Sequence, residues 1–233
     1  CRDNDRGGDA FHGPGGPLSV SDQHWPSPAS RAFVDSAAQL QLPRNPDFNG
    51  ARQDGFGLYQ VTQRGGERWS AARAYVEPAR SRPNLDVRTG VLVEKIVIED
   101  GRAVGVAIRH GGKREVLRAQ GGVVLSAGAF GSPQVLMLSG IGPATHLGEH
   151  GIAVQRHCEA VGADLQDHCD FIISYEADSP HLLGSTLAGA WRMGKSLIEY
   201  IRHRTGMMTT PFAEAGGFWT LDPASPAPDI QYP

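Results

Sequence analysis

Between Leu85 and Leu125 apolar and polar positions fall in short runs broken by two turn signals, with no helical period. Val91 to Ile98 is β-branched, Asp100-Gly101 is a tight-hairpin dipeptide, Ala103 to Ile108 alternates small and apolar residues, and Gly111-Gly112 leads into Arg114 to Arg118. This order predicts a three-stranded antiparallel meander. Val123-Val124-Leu125 lacks alternation, as a strand buried on both faces does, and passes through Ser126-Ala127-Gly128-Ala129 into Ser132-Pro133-Gln134. There Ser132 predicts a helix cap and Pro133 the first helical position.

Elsewhere the spacing is helical. Phe33, Ala37 and Leu40 lie on one face of a helix predicted over Ser30 to Leu40 and stopped before Pro43. Ser70 to Val76 reads as a short helix with Ser70 as cap and Pro78 as stop. Ser185 to His203 reads as a third, ended by Gly206, whose stripe of Leu187, Trp191, Gly194, Ile198 and Ile201 is expected to be core. Phe171 to Tyr175 reads as a strand, and residues 1–30, with Phe11-His12-Gly13-Pro14-Gly15-Gly16-Pro17, as extended chain and turns. With no internal repeat, the pattern gives an α/β fold of the mixed α+β kind.

Composition narrows the function classes. Hydrophobic residues are 40% and charged residues 20% of the chain, which excludes wholesale disorder, a coiled coil and a collagenous repeat. The 30 glycines and 16 prolines carry no period and signal many turns. A net charge of −3 offers no basic surface for nucleic acid and no polybasic membrane anchor. Cys1, Cys158 and Cys169 are too few and odd for a disulfide framework, so a reducing compartment is expected. No stretch approaches the ~18 apolar residues of a membrane span. A cytoplasmic location is expected, peripheral membrane association stays open, and oligomeric state is not encoded in the pattern. The chain lacks an initiating Met and stops at Tyr232-Pro233, so it is expected to be part of something longer.

Several constellations carry candidate chemistry. His146-Leu147-Gly148-Glu149-His150 matches the H-x-x-E-H pattern of one class of zinc peptidases, which makes a zinc hydrolase using His146, Glu149 and His150 an alternative function. Against it, the segment is boxed between Pro143 and Gly151 with Gly148 in its middle, a flexible mount for metal ligands; an exposed helix with two solvated histidines is the plainer reading. His157-Cys158 and His168-Cys169 place neighbours on opposite faces of an extended chain, so neither pair suits one ion. No G-x-S-x-G occurs. There remains the Ala127-Gly128 joint, where a strand end and a helix start let backbone approach a ligand, although such joints are also ordinary α/β punctuation.

The segment from Ser126-Ala127-Gly128-Ala129-Phe130-Gly131-Ser132-Pro133-Gln134 through Leu138-Ser139-Gly140-Ile141-Gly142-Pro143 resembles the second signature of the glucose–methanol–choline (GMC) oxidoreductases. Four further segments follow in that family's order. They are Phe11-His12-Gly13 with Gly16-Pro17-Leu18; Asp47-Phe48-Asn49-Gly50; Arg68 to Tyr75 with Arg82-Pro83-Asn84-Leu85; and Val161-Gly162 with Leu165-Gln166-Asp167-His168. The tail, Glu214-Ala215-Gly216-Gly217-Phe218 and Pro228-Asp229-Ile230-Gln231-Tyr232, is most similar to the choline dehydrogenase branch.

The resemblance implies FAD as cofactor, a small-molecule alcohol as substrate, and a Rossmann-like FAD domain interleaved with an antiparallel-sheet substrate domain. Residues 51–168 would then belong to the FAD domain, and residues 1–50 and 169–233 to the substrate domain. The family's G-x-G-x-x-G is not present in this sequence. Its histidine base is expected beyond Pro233, so no catalytic residue is assigned here and the chain alone is expected to be inactive; a non-catalytic fragment that only binds is a further alternative function. By the same resemblance Val93 pairs with adenine through its backbone, and Ala127 and Gly128 pack beside the adenosine. Asp164 and His168 either border the cofactor or cap a helix. Glu214, with Phe212 and Phe218 near it in sequence, either balances a substrate's quaternary ammonium or is a carboxylate at a strand edge.

Overall fold

The computed structural model describes residues 2–175, 179, 186–211 and 213–232. Strands β1 (Arg2–Asn4) and β2 (Leu18–Val20) pair in parallel ahead of helix α1 (Pro28–Gln39). Strand β3 (Gly55–Leu58) leads to a small hairpin of β4 (Gln63–Arg64) and β5 (Glu67–Arg68), then a π-helical turn, Ala72–Val76, and α2 (Glu77–Ala79). The meander is β6 (Val91–Glu99), β7 (Arg102–His110) and β8 (Lys113–Arg118). Helix α3 (Gly128–Leu138), β9 (Ile141–Gly142), α4 (Ala144–Glu149) and β10 (Arg156–His157) follow. The chain ends in α5 (Leu187–His203), β11 (Ala215–Trp219) and β12 (Ile230–Tyr232). It divides into two compact units, Cys1–Leu85 with Tyr175–Pro233, and Asp86–Ser174.

In the first unit β11 is the middle strand of an antiparallel sheet ordered β12-β11-β3, and α1 packs against it. Val34 and Ala37 of α1 and Phe56 of β3 are buried there. The Gly216-Gly217 pair of β11 has a steric cause, since a Cβ at Gly217 would meet the Phe56 ring and one at Gly216 the Tyr59 hydroxyl. Leu40, expected to face inward, is 74% exposed because it is the C-cap of α1, where the chain leaves helical spacing.

In the second unit the meander forms as its turns dictate. Asp100 and Gly101 (φ 49° and 74°), and Gly111 and Gly112 (55° and 79°), are left-handed at both central positions, the geometry that suits the twist of a hairpin. Ile96, Ile108 and Val135 are buried where α3 packs on β6.

Five local expectations are corrected. Helix α3 begins at Gly128, with Pro133 inside it: Ser132 is not the N-cap but lies in the second turn, where its Oγ accepts the Ala127 N–H at 3.1 Å. Pro78 does not stop the second helix, because it sits in the first turn of α2, where its missing N–H costs nothing. Val123-Val124-Leu125 is not a buried strand; Val124 is 92% exposed, and among the described residues no strand lies beside it. Phe171 to Tyr175 forms no strand and is exposed, for the same lack of a neighbour. The α5 stripe is exposed, Leu187 at 93% and Trp191 at 69%, while Gly189 on the opposite face is buried. Spacing shows which residues share a face, but an element must lie against that face to make it core, and none does among the described residues. Among them, no helix is long and apolar enough to cross a membrane.

Candidate functional site

In the second unit the outer edge of β6 is the first place where the backbone itself is available. Ile96 donates its N–H to Ser139 Oγ (2.8 Å), so at this residue the main-chain groups point away from β7. Ile96 faces Val106, and Val93, three residues earlier in β6, faces Ile108, two residues later in β7. The register shift between Val93 and Lys95 is a bulge that keeps the two in phase. In an antiparallel ladder alternate residues share a direction, so the N–H and C=O of Val93 also point outward, away from β7. Val104 O, which accepts from Ala119 N at 2.9 Å, places the even residues of β7 toward β8, as this phase requires. Among the described residues no further strand joins this edge.

The Ala127-Gly128 turn opens α3. Gly128 has φ +82°, a conformation that strains any residue with a side chain, yet a Cβ built there meets nothing within 4 Å. Apart from the backbone of its own helix, what lies beside it is open space at a helix start. Ser139, at the other end of α3, also donates to Val135 O (2.6 Å), so one buried hydroxyl ties α3 to the β6 edge. No hydrogen bond or ion pair joins Val93 to Ala127 or Gly128. Asp164 (φ 52°) and His168 are exposed; the His168 N–H donates to Asp167 Oδ1 at 2.8 Å, and among the described residues no helix starts between Asp164 and Tyr175 for either to cap.

In the first unit Glu214 is buried, at 8% exposure. Its Oε2 accepts the Ser27 N–H (2.7 Å) and the Ser30 hydroxyl (2.6 Å) at the start of α1, and its Oε1 accepts from the Thr210 hydroxyl. Burial pushes its pKa up, but the hydrogen bonds from Ser30, Thr210 and Ser27 together outweigh burial and hold the carboxyl below its ordinary value. All these donors are neutral, and among the described residues no Lys, Arg or His forms an ion pair with Glu214. Phe218, four residues on, packs edge-on against Phe48 with ring centres 5.2 Å apart. Phe212 lies outside the described residues. The Phe48 contact was not anticipated from periodicity; its signal was the Asp47-Phe48-Asn49-Gly50 motif.

The His146 and His150 rings stack edge to face at 4.8 Å, with His146 Nδ1 3.9 Å from Glu149. Among the described residues no group of three or more His, Cys, Asp or Glu is placed to hold a metal ion.

Residues 4–170 match the family model described as GMC oxidoreductase. The oxygen-dependent choline dehydrogenase of Rhizobium etli (strain CIAT 652) is 42% identical over 97% of this chain and 41% of its own length. The alcohol dehydrogenase (acceptor) of Pseudomonas putida is 41% identical over 95% of this chain, again 41% of its own length. Among solved structures, pyridoxine 4-oxidase from Mesorbium loti superposes with a TM-score of 0.62 at 34% identity, over 67% of this chain and 31% of that one. An FAD-dependent oxidoreductase from Chaetomium thermophilum superposes with a TM-score of 0.77 at 25% identity, over 88% of this chain and 37% of that one. This chain thus spans 41% of the length of the curated relatives it matches. The mixed α/β architecture, the motif order and a family match over residues 4–170 agree, and the chain belongs to the GMC oxidoreductase family.

Proposed function

We propose that this chain supplies the adenine side of an FAD site and one wall of the substrate cavity of an alcohol oxidoreductase, which moves a hydride from a CH–OH carbon to flavin. The observation that carries the reading is the outward-facing backbone of Val93 on an uncovered strand edge: a donor and acceptor side by side match the edge of an adenine base. The relatives named choline dehydrogenase and alcohol dehydrogenase support the reaction class. FAD, when bound, supplies the hydride acceptor. Val93 would hold the adenine, Ala127 and Gly128 would leave room for the adenosine, and Asp164 and His168 would border it. Residues 51–168 would then serve the flavin domain, and residues 1–50 and 169–233 the substrate domain.

On the substrate side we assign Glu214 to a cationic alcohol of the choline class. Among the described residues the donors to this buried carboxylate are all neutral, which leaves its charge unbalanced, and Oε1, with a single donor among them, keeps a lone pair free. A quaternary ammonium completes the balance, and an aromatic face such as Phe218 adds about 0.5–2 kcal/mol of cation–π attraction. Phe212 shares this assignment on the resemblance alone.

The test compares choline with its uncharged isostere 3,3-dimethylbutan-1-ol in the full-length protein and its Glu214→Gln variant. Loss of the charge should lower kcat/KM for choline about tenfold or more, equivalent to about 1.4 kcal/mol, and leave the isostere within about threefold. Equal losses on both alcohols would reduce Glu214 to an anchor for α1.

A further inference from the structure

We infer that His12 is a positioning residue, a clasp between two loops that sets the aromatic wall of Phe48 and Phe218. This rests on the proposed role of Phe218. The His12 side chain is only 11% exposed and sits between two carboxylates. Its Nδ1 lies 2.9 and 3.0 Å from the two oxygens of Asp9 on its own loop, and its Nε2 lies 3.3 Å from Asp47 Oδ2 on the other. Nε2 is buried and makes no aligned hydrogen bond, so its hold on Asp47 is the attraction of charge, present when the ring is protonated.

Asp47 is prepared for this contact. Its N–H donates to Asn45 Oδ1 at 2.8 Å, and its Oδ1 accepts the Asn49 N–H at 3.0 Å, which leaves Oδ2 for His12. Gly50 makes room, since a Cβ there would stand 2.8 Å from Oδ2. The next residue, Phe48, packs on Tyr59 at 5.1 Å and on Phe218 at 5.2 Å, so where Asp47 sits decides where that wall stands. The other charged groups nearby are Arg6, which donates to Pro46 O at 2.8 Å, and Asp22, to which Arg6 is paired at 2.6 Å.

The Asp9 hydrogen bond raises the pKa of His12, burial opposes it, and Asp47 and Asp9 add to the rise by charge. Raised above its unfolded value of about 6.5, the imidazolium contributes fully below that pH and is lost as pH rises through the folded value. The clasp therefore loosens on the alkaline side.

The test uses the full-length protein, His12→Gln, and His12→Arg, which keeps the cation. Hydrogen exchange, expressed as protection relative to intrinsic rates, should fall for residues 47–50 and 215–219 as the wild type passes above neutrality. It should not change with pH in His12→Gln. KM for the alcohol should rise about two- to fivefold over the same range in the wild type, the effect of a partly exposed ion pair. It should be high throughout in His12→Gln and low throughout in His12→Arg, with kcat little changed. Exchange needs no substrate, so wild type and His12→Gln behaving alike overturns the clasp whatever the substrate is. Exchange as expected with KM independent of His12 overturns the positioning role. Failure of the choline reading shows elsewhere, in the Glu214→Gln comparison.

Discussion

Ser139 Oγ receives the Ile96 N–H at 2.8 Å and donates to Val135 O at 2.6 Å, so a single hydroxyl fixes the end of α3 against the edge that presents Val93. Ser139 is 7% exposed, and Ser139→Ala would strand the Ile96 N–H away from water. The expected cost is about 1–3 kcal/mol, read by denaturant unfolding of the full-length protein, with Ser139→Thr recovering most of it. An alanine variant as stable as wild type would show that water replaces the hydroxyl.

Gly128 should be intolerant for conformational reasons. Its φ of +82° strains any β-carbon by about 1 kcal/mol or more, and the space beside it is where the adenosine is proposed to lie. Gly128→Val should lower flavin occupancy far more than Glu149→Ala on the exposed face of α4, compared as flavin-to-protein absorbance ratios of the folded variants. Equal, full occupancy in both would make Gly128 a turn residue only.

Glu214 should leave a pH signature in stability. Its folded pKa is depressed, so its contribution is present above the unfolded value of about 4.3 and is lost as pH falls through the lower folded value. Unfolding free energies of wild type and Glu214→Gln should differ by a constant amount above about pH 5 and converge in acid. A difference that grows in acid would mean the carboxyl is held protonated.

The 233-residue chain alone should bind FAD poorly, because only adenine-side groups are proposed within it and the G-x-G-x-x-G that would cradle the pyrophosphate is not in its sequence. Calorimetric titration should detect no sub-micromolar binding; tight binding would place the main phosphate contacts in this chain.

Local turn chemistry was the most legible layer of the sequence. Asp100-Gly101 and Gly111-Gly112 can adopt left-handed backbone cheaply, and the meander followed from them. Helix existence was also readable from spacing, as α1 and α5 show. Burial was not, because it depends on partners distant in sequence: the apolar Val123 to Leu125 and the stripe of α5 have no cover among the described residues. The candidate site residues were legible only through motif. Glu214 stands 187 positions from Ser27, to which it is bonded, and His12 stands 35 from Asp47; no local period reports such pairs.

The proposal is that this chain is part of a flavin-dependent alcohol oxidoreductase. Its most direct test is the visible absorption of the purified full-length protein, recorded without oxygen before and after an alcohol is added. The protein should carry about one flavin per chain, bleached by choline and restored when an electron acceptor is admitted. A protein that binds no flavin, or whose flavin no alcohol reduces, would contradict it.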